Sequence, residues 1–284
     1  MTTYQKEAIG DKMLEQLLKE KWIEHRQIYA FFLGFIYTLV AYLTATIFFK
    51  EAYSVATMFL ITLLLVPSLM KLLNIEEKKE RRDGTKNFFK DHAPIFETYI
   101  FLFLGILLGY IVFGFFAVGT ERFSNMFGYQ INFLESQNAL DFNKSAYEPI
   151  NKAMVLFTNN ITVAMIAFVL SFFYGAGAVF LVVFNASIFS AFILSFMQKI
   201  SQGMQLSALG IFSLHLIPEL LGFLFAAVAG GVISKALLRE KFGTEEFRNV
   251  FKDATIILLI AIALILIAAL LETFVTTPFF YSLI

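Results

Sequence analysis

Long apolar stretches alternate with short charged segments along most of the chain. A helix needs about 20 mostly apolar residues to cross a bilayer. The pattern predicts seven spans, at residues 28–49, 52–73, 95–118, 155–174, 178–197, 211–234 and 254–276. We therefore predict an all-α fold, a polytopic transmembrane helical bundle of about seven spans.

Two segments between or before the spans are too polar to cross a bilayer. Within residues 1–27, Ile9, Met13, Leu17 and Trp22 recur at helical spacing between charged residues, which predicts an amphipathic surface helix. A solvated helix packed on the neighbouring loops would give the same pattern. Residues 119–153 carry scattered aromatic residues and are expected to form a loop that caps the bundle. The remaining domains are then a three-span region, 28–118, and a four-span region, 154–284.

The distribution of basic residues predicts the orientation of the spans. Seventeen of the 22 Lys and Arg residues fall in three segments on one side of the seven-span arrangement, namely 1–27, 71–90 and 235–252. Short loops rich in Lys and Arg stay in the cytoplasm. We therefore predict a cytoplasmic N-terminus, cytoplasmic loops at 74–91 and 238–252, an external loop at 119–153 and an external C-terminus.

Composition supports a membrane protein and excludes several other classes. Hydrophobic residues make up 58% of the chain, against about 45–50% in soluble domains, and Phe alone occurs 36 times. The chain has no Cys, which removes disulfides, thiolate catalysis and Cys-based metal sites. A P-loop, a GxGxxG turn and a basic nucleic-acid surface are all missing from the sequence, so we predict no cofactor and no nucleic-acid partner.

Polar residues inside the apolar stretches are concentrated in the second half of the chain. An acidic residue at the centre of a membrane helix costs about 2.5–3.5 kcal/mol, so such residues usually face the bundle interior and mark a function or a contact between helices. The predicted intramembrane polar cluster comprises Asn159, Asn160, Asn185, His215, Pro218, Glu219 and Glu272.

The sixth predicted span combines polar residues with small residues. His215 and Glu219 are one helical turn apart and share a face, while Pro218 bends the helix between them. Small residues that let two backbones approach closely are expected to be helix-packing positions. These are Gly175 and Gly177, which we expect in a turn between spans four and five, and Gly222, Ala226 and Gly230 in span six.

The polar residues of the second half have three interpretations. In the first, they serve only as hydrogen-bonding groups that fix helix packing, and Glu219 is largely neutral or paired and clamps span six to spans four and five through Asn160, Asn185 and His215. They can instead handle a proton or a substrate. A metal set is the third interpretation, but the sequence has no HExxH motif, and His25 and His92 lie on the cytoplasmic side. We therefore predict neither a metal site nor a catalytic constellation.

Three separated motifs resemble the stage II sporulation protein M family of integral membrane proteins. They are "NNITVAMIAFVLSFFYGAGAVFLVVFNASIFSAF" at 159–192, "LHLIPELLGFLFAAVAGGVIS" at 214–234 and "ALLETFVTTPFF" at 269–280. The residues that carry the resemblance are Asn160, Gly175, Gly177, Asn185, His215, Pro218, Glu219, Gly230, Glu272 and Pro278. Leu216 departs from the family pattern, which usually has Gly after the His. The two first spans are similar to those of the longer archaeal members.

The resemblance implies a scaffold rather than an enzyme, because the spore-forming members anchor a peptidoglycan-remodelling complex. We therefore expect a multi-pass protein of the plasma membrane that anchors or positions cell-envelope partner proteins without catalysis of its own. Its expected partners are the lipid bilayer, other membrane or envelope proteins and a second copy of the chain. The alternative is a transporter or channel that uses Asn160, Asn185, His215 and Glu219, and an intramembrane enzyme ranks third.

Overall fold

The chain folds into a bundle of long α-helices. The computed structural model describes residues 27–49, 52–83, 88–136, 149–173, 177–199, 203–239 and 244–279, and contains no strand within them. The helices are α1 (Gln27–Phe48), α2 (Tyr53–Asp83), α3 (Phe88–Ala117), α4 (Glu121–Ser136), α5 (Pro149–Phe173), α6 (Gly177–Lys199), α7 (Gln205–Arg239) and α8 (Glu245–Leu271). The predicted surface helix in 1–27 lies outside the described residues, apart from Gln27.

Six of these helices are long and apolar enough to cross a membrane. The prediction of an all-α polytopic bundle is therefore confirmed, and the protein is a multi-pass membrane protein. The predicted span 52–73 corresponds to the first part of α2, whose described apolar stretch, Tyr53–Leu69, is shorter than the other six. Predicted spans four and five correspond to α5 and α6, both of which are long enough to cross.

The interior of the bundle is built around α6, which packs against α2, α3, α4, α5 and α7. Most of its apolar stretch is buried, including Val182, Val183 and Phe196. The first helix joins this core through α3. There the backbones come close together, because Gly34 faces the carbonyl oxygen of Leu102 and Gly105 faces the carbonyl oxygen of Phe31. A side chain at either glycine would push the two helices apart.

Helix α4 lies in the segment that was expected to be a loop. Its buried residues, Phe123, Met126, Phe127, Gln130 and Leu134, recur at helical spacing and form one apolar face. That face packs against α2, α3 and α6. The sequence analysis did not assign this helix, because only stretches long enough to cross a membrane were assigned to helices. The external position of 119–153 stays a prediction.

A buried polar contact fixes α4 in place. The Gln130 side chain is fully buried and accepts a hydrogen bond of 2.7 Å from the Ser54 hydroxyl of α2. Its amide nitrogen donates to the Ser187 hydroxyl of α6 at 3.2 Å. One glutamine therefore joins three helices.

Candidate functional site

The polar residues of α7 begin the candidate site. His215 and Glu219 are four residues apart on one face, and Pro218 lies inside the same helix. His215 is buried, with its ring edge-on to Phe212 at a centroid distance of 5.6 Å. Glu219 is half-buried and makes no hydrogen bond or ion pair with any part of the chain that the structure describes.

The end of α8 supplies the facing residues. Directly after Leu271 the helix widens into a π-helical turn, Glu272–Thr276, in which the Thr277 amide donates to the Glu272 carbonyl. Such turns often occur at functional sites, because the extra residue re-aims the side chains. Here Glu272 and Thr276 both reach His215 of α7. Thr276 is fully buried, whereas Glu272 keeps 21% of its side chain exposed.

Two contacts fix the orientation of the His215 ring. The ring Nδ1 lies 3.1 Å from the Thr276 hydroxyl, which is a hydrogen bond. The ring Nε2 therefore faces the opposite way, where it lies 3.9 Å from Oε2 of Glu272. One donor atom from each of His215, Glu219 and Glu272 lies within 4.8 Å of the others. We call these three residues the acid–histidine cluster.

A lysine from a third helix completes the surroundings of Glu272. Lys152 of α5 lies with its Nζ 3.7 Å from Oε1 of Glu272 and donates a hydrogen bond of 2.8 Å to the Thr277 hydroxyl. The two carboxylate oxygens of Glu272 therefore have different neighbours: Oε1 faces the lysine and Oε2 faces the histidine. Lys152 is one-third exposed and lies in the first turn of α5.

The acid–histidine cluster lies away from the ends of α7. His215 is about 15 Å along α7 from Gln205, and Glu219 is about 6 Å further on, at the helical rise per residue. In the predicted orientation this places the cluster in the external half of the membrane, with Lys152 towards the outside. When both acids are ionised, they carry more negative charge than one lysine neutralises. The arrangement can therefore hold a proton or a cation, and its nitrogen and oxygen donors are those of a metal site.

The three asparagines of the predicted polar cluster do not join this group. Asn185 is buried but donates to the carbonyl of Leu181, one turn back in its own helix. Asn160 is half-buried and Asn159 is exposed on the outer side of α5. Within the described part of the chain neither makes a hydrogen bond. The polar groups near Glu219 are His215 of its own helix and Glu272 of the π-helical turn, not the asparagines of spans four and five that the clamp hypothesis also expected.

The predicted small residues of span six face two different helices. A Cβ on Gly222 would lie 2.6 Å from the Ile265 side chain of α8, and Gly230 faces the carbonyl oxygen of Phe168 in α5. Ala226 is fully buried between them, with Ala164 of α5 and Ala261 of α8 in the same apolar cluster. Gly177 is the first residue of α6, and Gly175 lies outside the described residues.

Sequence reasoning missed the residues that support the acid–histidine cluster. Lys152, Thr276 and Thr277 were not selected, although Lys152 is the one basic residue in the first turns of α5 and the two threonines follow an intramembrane acid. A search for hydroxyl groups one turn from a membrane-buried acid would have found Thr276. Gln130 was missed because its segment was assigned to a loop.

The comparisons with known proteins agree with the motif resemblance. No curated protein and no solved structure is similar enough to the chain to match it. The family model described as stage II sporulation protein M matches residues 98–277, from α3 to the end of the π-helical turn. This is more than half of the chain and includes the whole acid–histidine cluster. The chain therefore belongs to the stage II sporulation protein M family.

Proposed function

We propose that this protein is a scaffold of the plasma membrane that anchors or positions cell-envelope partner proteins and has no catalysis of its own. The observation that carries the proposal is the exposed Asn159 on the outer face of α5. Family membership supports it, because the spore-forming members that the motifs resemble act as anchors.

An exposed Asn159 costs free energy in the membrane unless another protein covers it. The residue lies about 6 Å along α5 from residue 155, where the predicted span begins, and therefore within a hydrocarbon core of about 30 Å. Its amide makes no hydrogen bond with the described chain. An unpaired amide in an apolar medium costs several kcal/mol, whereas a polar group on a neighbouring membrane helix would satisfy it.

The rest of the α5 surface suits a helix-docking face. Among the six candidate spans, α5 has the smallest buried share of its apolar stretch. Val155, Thr162 and Ile166 are exposed on the same side as Asn159. The Thr162 hydroxyl bonds to the carbonyl of Thr158, whereas the Asn159 amide bonds to nothing in the described part of the chain. The partner that fits is a membrane helix with a hydrogen-bonding side chain at the depth of Asn159.

The experiment is a quantitative co-purification of the tagged protein from its own membranes in mild detergent. The compared chains are wild type, Asn159→Leu and the control Thr44→Leu, in which a half-buried threonine of α1 that bonds only within its own helix is replaced. We expect Asn159→Leu to lose specific membrane or envelope proteins that wild type and Thr44→Leu retain. Equal recovery with all three chains would contradict the proposal.

Transport is the alternative function, and the described contacts give it no specific support. No hydrogen bond links Asn160 or Asn185 to His215 or Glu219 within the described chain, so the four residues do not form one path. The acid–histidine cluster alone is compatible with either function. Uptake measurements therefore belong beside the co-purification as a separate test.

A further inference from the structure

We propose that the acid–histidine cluster binds one divalent transition-metal ion of the zinc class, which fastens α7 to the π-helical turn after α8. The ligands are Nε2 of His215 and one carboxylate oxygen each from Glu219 and Glu272. This inference does not depend on the scaffold function.

The spacing of the donors fits a single ion after small side-chain rotations. Zinc is usually tetrahedral and lies about 2.0–2.2 Å from nitrogen and oxygen ligands, so two ligands of one ion are about 3.3–3.6 Å apart. Nε2 of His215 and Oε2 of Glu272 are 3.9 Å apart, slightly more than that distance. All three donors lie within 4.8 Å of one another. Glu219 has no other partner in the described chain, so its side chain is free to close the remaining gap.

Groups behind two of the ligands are placed as in known metal sites. A ligating histidine usually bonds through its second ring nitrogen, and a ligating carboxylate is itself hydrogen-bonded or paired. Nδ1 of His215 bonds to Thr276, which leaves Nε2 directed at Glu272. Oε1 of Glu272 faces Lys152, which leaves Oε2 directed at the histidine. In both residues, one atom is held by a neighbouring side chain and the other, Nε2 of His215 or Oε2 of Glu272, faces the proposed ion.

The charge and the donor types select the kind of ion. When Glu219 and Glu272 are both ionised, one lysine does not neutralise them, and a divalent cation compensates the remaining negative charge. Calcium takes six to eight oxygen ligands and magnesium keeps a largely hydrated oxygen shell. One imidazole with two carboxylates suits zinc and similar first-row ions. The absence of Cys from the chain excludes thiolate ligation.

The test uses the full chain, purified in detergent with a tag that contains no histidine and freed of metal by a chelator. The chain has three histidines, so His25 and His92 are replaced by Gln to leave His215 as the one imidazole. Zinc is added, and bound metal, affinity and melting temperature are measured. We expect about one tightly bound zinc per chain and a higher melting temperature with the ion than without it. Cobalt bound in place of zinc should show the visible absorption bands of a site with a nitrogen ligand.

Three variants in the same background decide which residues bind the ion. Glu219→Gln should weaken zinc binding at least about tenfold and remove the rise in melting temperature, while the metal-free protein stays folded because Glu219 makes no described hydrogen bond. Thr276→Val should weaken binding by about tenfold through the loss of the ring contact. Glu121→Gln, a change at an exposed acid of α4, is the matched control and should bind zinc as the parent does.

Two results would overturn the proposal. One is a parent protein that binds no zinc above the level of a chain with His215→Gln. The other is zinc binding of equal affinity in the parent and in Glu219→Gln. If Glu219→Gln does not fold, Glu219→Asp replaces it, and the cobalt spectrum of the parent still shows whether His215 binds metal.

Discussion

His215 of α7 and Thr276 of the π-helical turn are joined by a hydrogen bond of 3.1 Å, although 61 residues separate them in the chain. The bond connects the two helices that end the family region at the point where α8 departs from regular α-helical geometry. It also determines which ring nitrogen faces the two acids. The local widening of the helix and the orientation of the buried histidine are thus one structural feature.

Removing the Thr276 hydroxyl should destabilise the protein. Thr276→Val leaves a buried ring nitrogen without its partner, and we expect a loss of about 0.6–2 kcal/mol in the free energy of unfolding in detergent. Thr276→Ser keeps the hydroxyl and should retain most of the stability. Thr255→Val serves as the control, because Thr255 is exposed on α8 and bonds only to Phe251 of its own helix. If Thr276→Val and Thr255→Val were equally stable, the bond would contribute nothing.

A methyl group at Gly230 should disrupt the contact between α7 and α5. The added Cβ would overlap the carbonyl oxygen of Phe168, which belongs to backbone and cannot rotate away. We expect Gly230→Ala to cost about 1–3 kcal/mol in thermal or denaturant unfolding. Gly210→Ala is the control in the same helix, since nothing lies within 4 Å of its added Cβ, and it should cause no loss. Wild-type stability of Gly230→Ala would show that the two helices are less close than described.

The buried Gln130 should contribute to the stability of the protein, although it lies outside the long spans. Gln130→Leu leaves the hydroxyls of Ser54 and Ser187 without this partner, so we expect the free energy of unfolding to fall by about 1–3 kcal/mol. Asn125→Leu, at an exposed position of the same helix, should change stability little. Hydrogen exchange of α4 provides the measurement, with faster exchange expected only in the Gln130 variant. Unchanged exchange would mean that apolar packing alone holds α4.

Cysteine labelling can test the predicted orientation cleanly, because the natural chain has no Cys. Ser136→Cys, at the exposed end of α4, should react with an impermeant maleimide in intact cells. Glu245→Cys, at the exposed start of α8, should react only after permeabilisation. Each position serves as the control for the other. The opposite pattern would invert the topology derived from the Lys and Arg distribution.

The helical bundle was predictable because long apolar stretches have one stable arrangement in a bilayer. Assigning helices from long apolar stretches does not detect an amphipathic helix. One example is α4, whose buried Phe123, Phe127 and Gln130 alternate with exposed polar residues. The same assignment also placed the start of α5 at 155 instead of Pro149, because the first turn contains Asn151 and Lys152. Polar first turns are part of a helix but not of an apolar stretch.

The candidate site was predictable in its members but not in its pairing. His215 and Glu219 share a face by helix periodicity alone, and their intramembrane position marked them for attention. Their facing partners depend on how α7 and α8 cross and on the π-helical turn at Glu272, neither of which sequence spacing reveals. Asn185 was grouped with them on composition, yet it bonds within its own helix.

Photocrosslinking in intact membranes tests the scaffold function most directly. A photoreactive amino acid is placed at Ile166, on the exposed face of α5 that contains Asn159, and in a second chain at Ile36, which is equally exposed on α1. We expect position 166 to form a discrete adduct with another membrane or envelope protein, identified by mass spectrometry, and position 36 to form none. The adduct should disappear when Asn159→Leu is introduced with the crosslinker still at 166. Adducts with lipid alone, or with a second copy of this chain alone, would contradict a scaffold that anchors other proteins through α5.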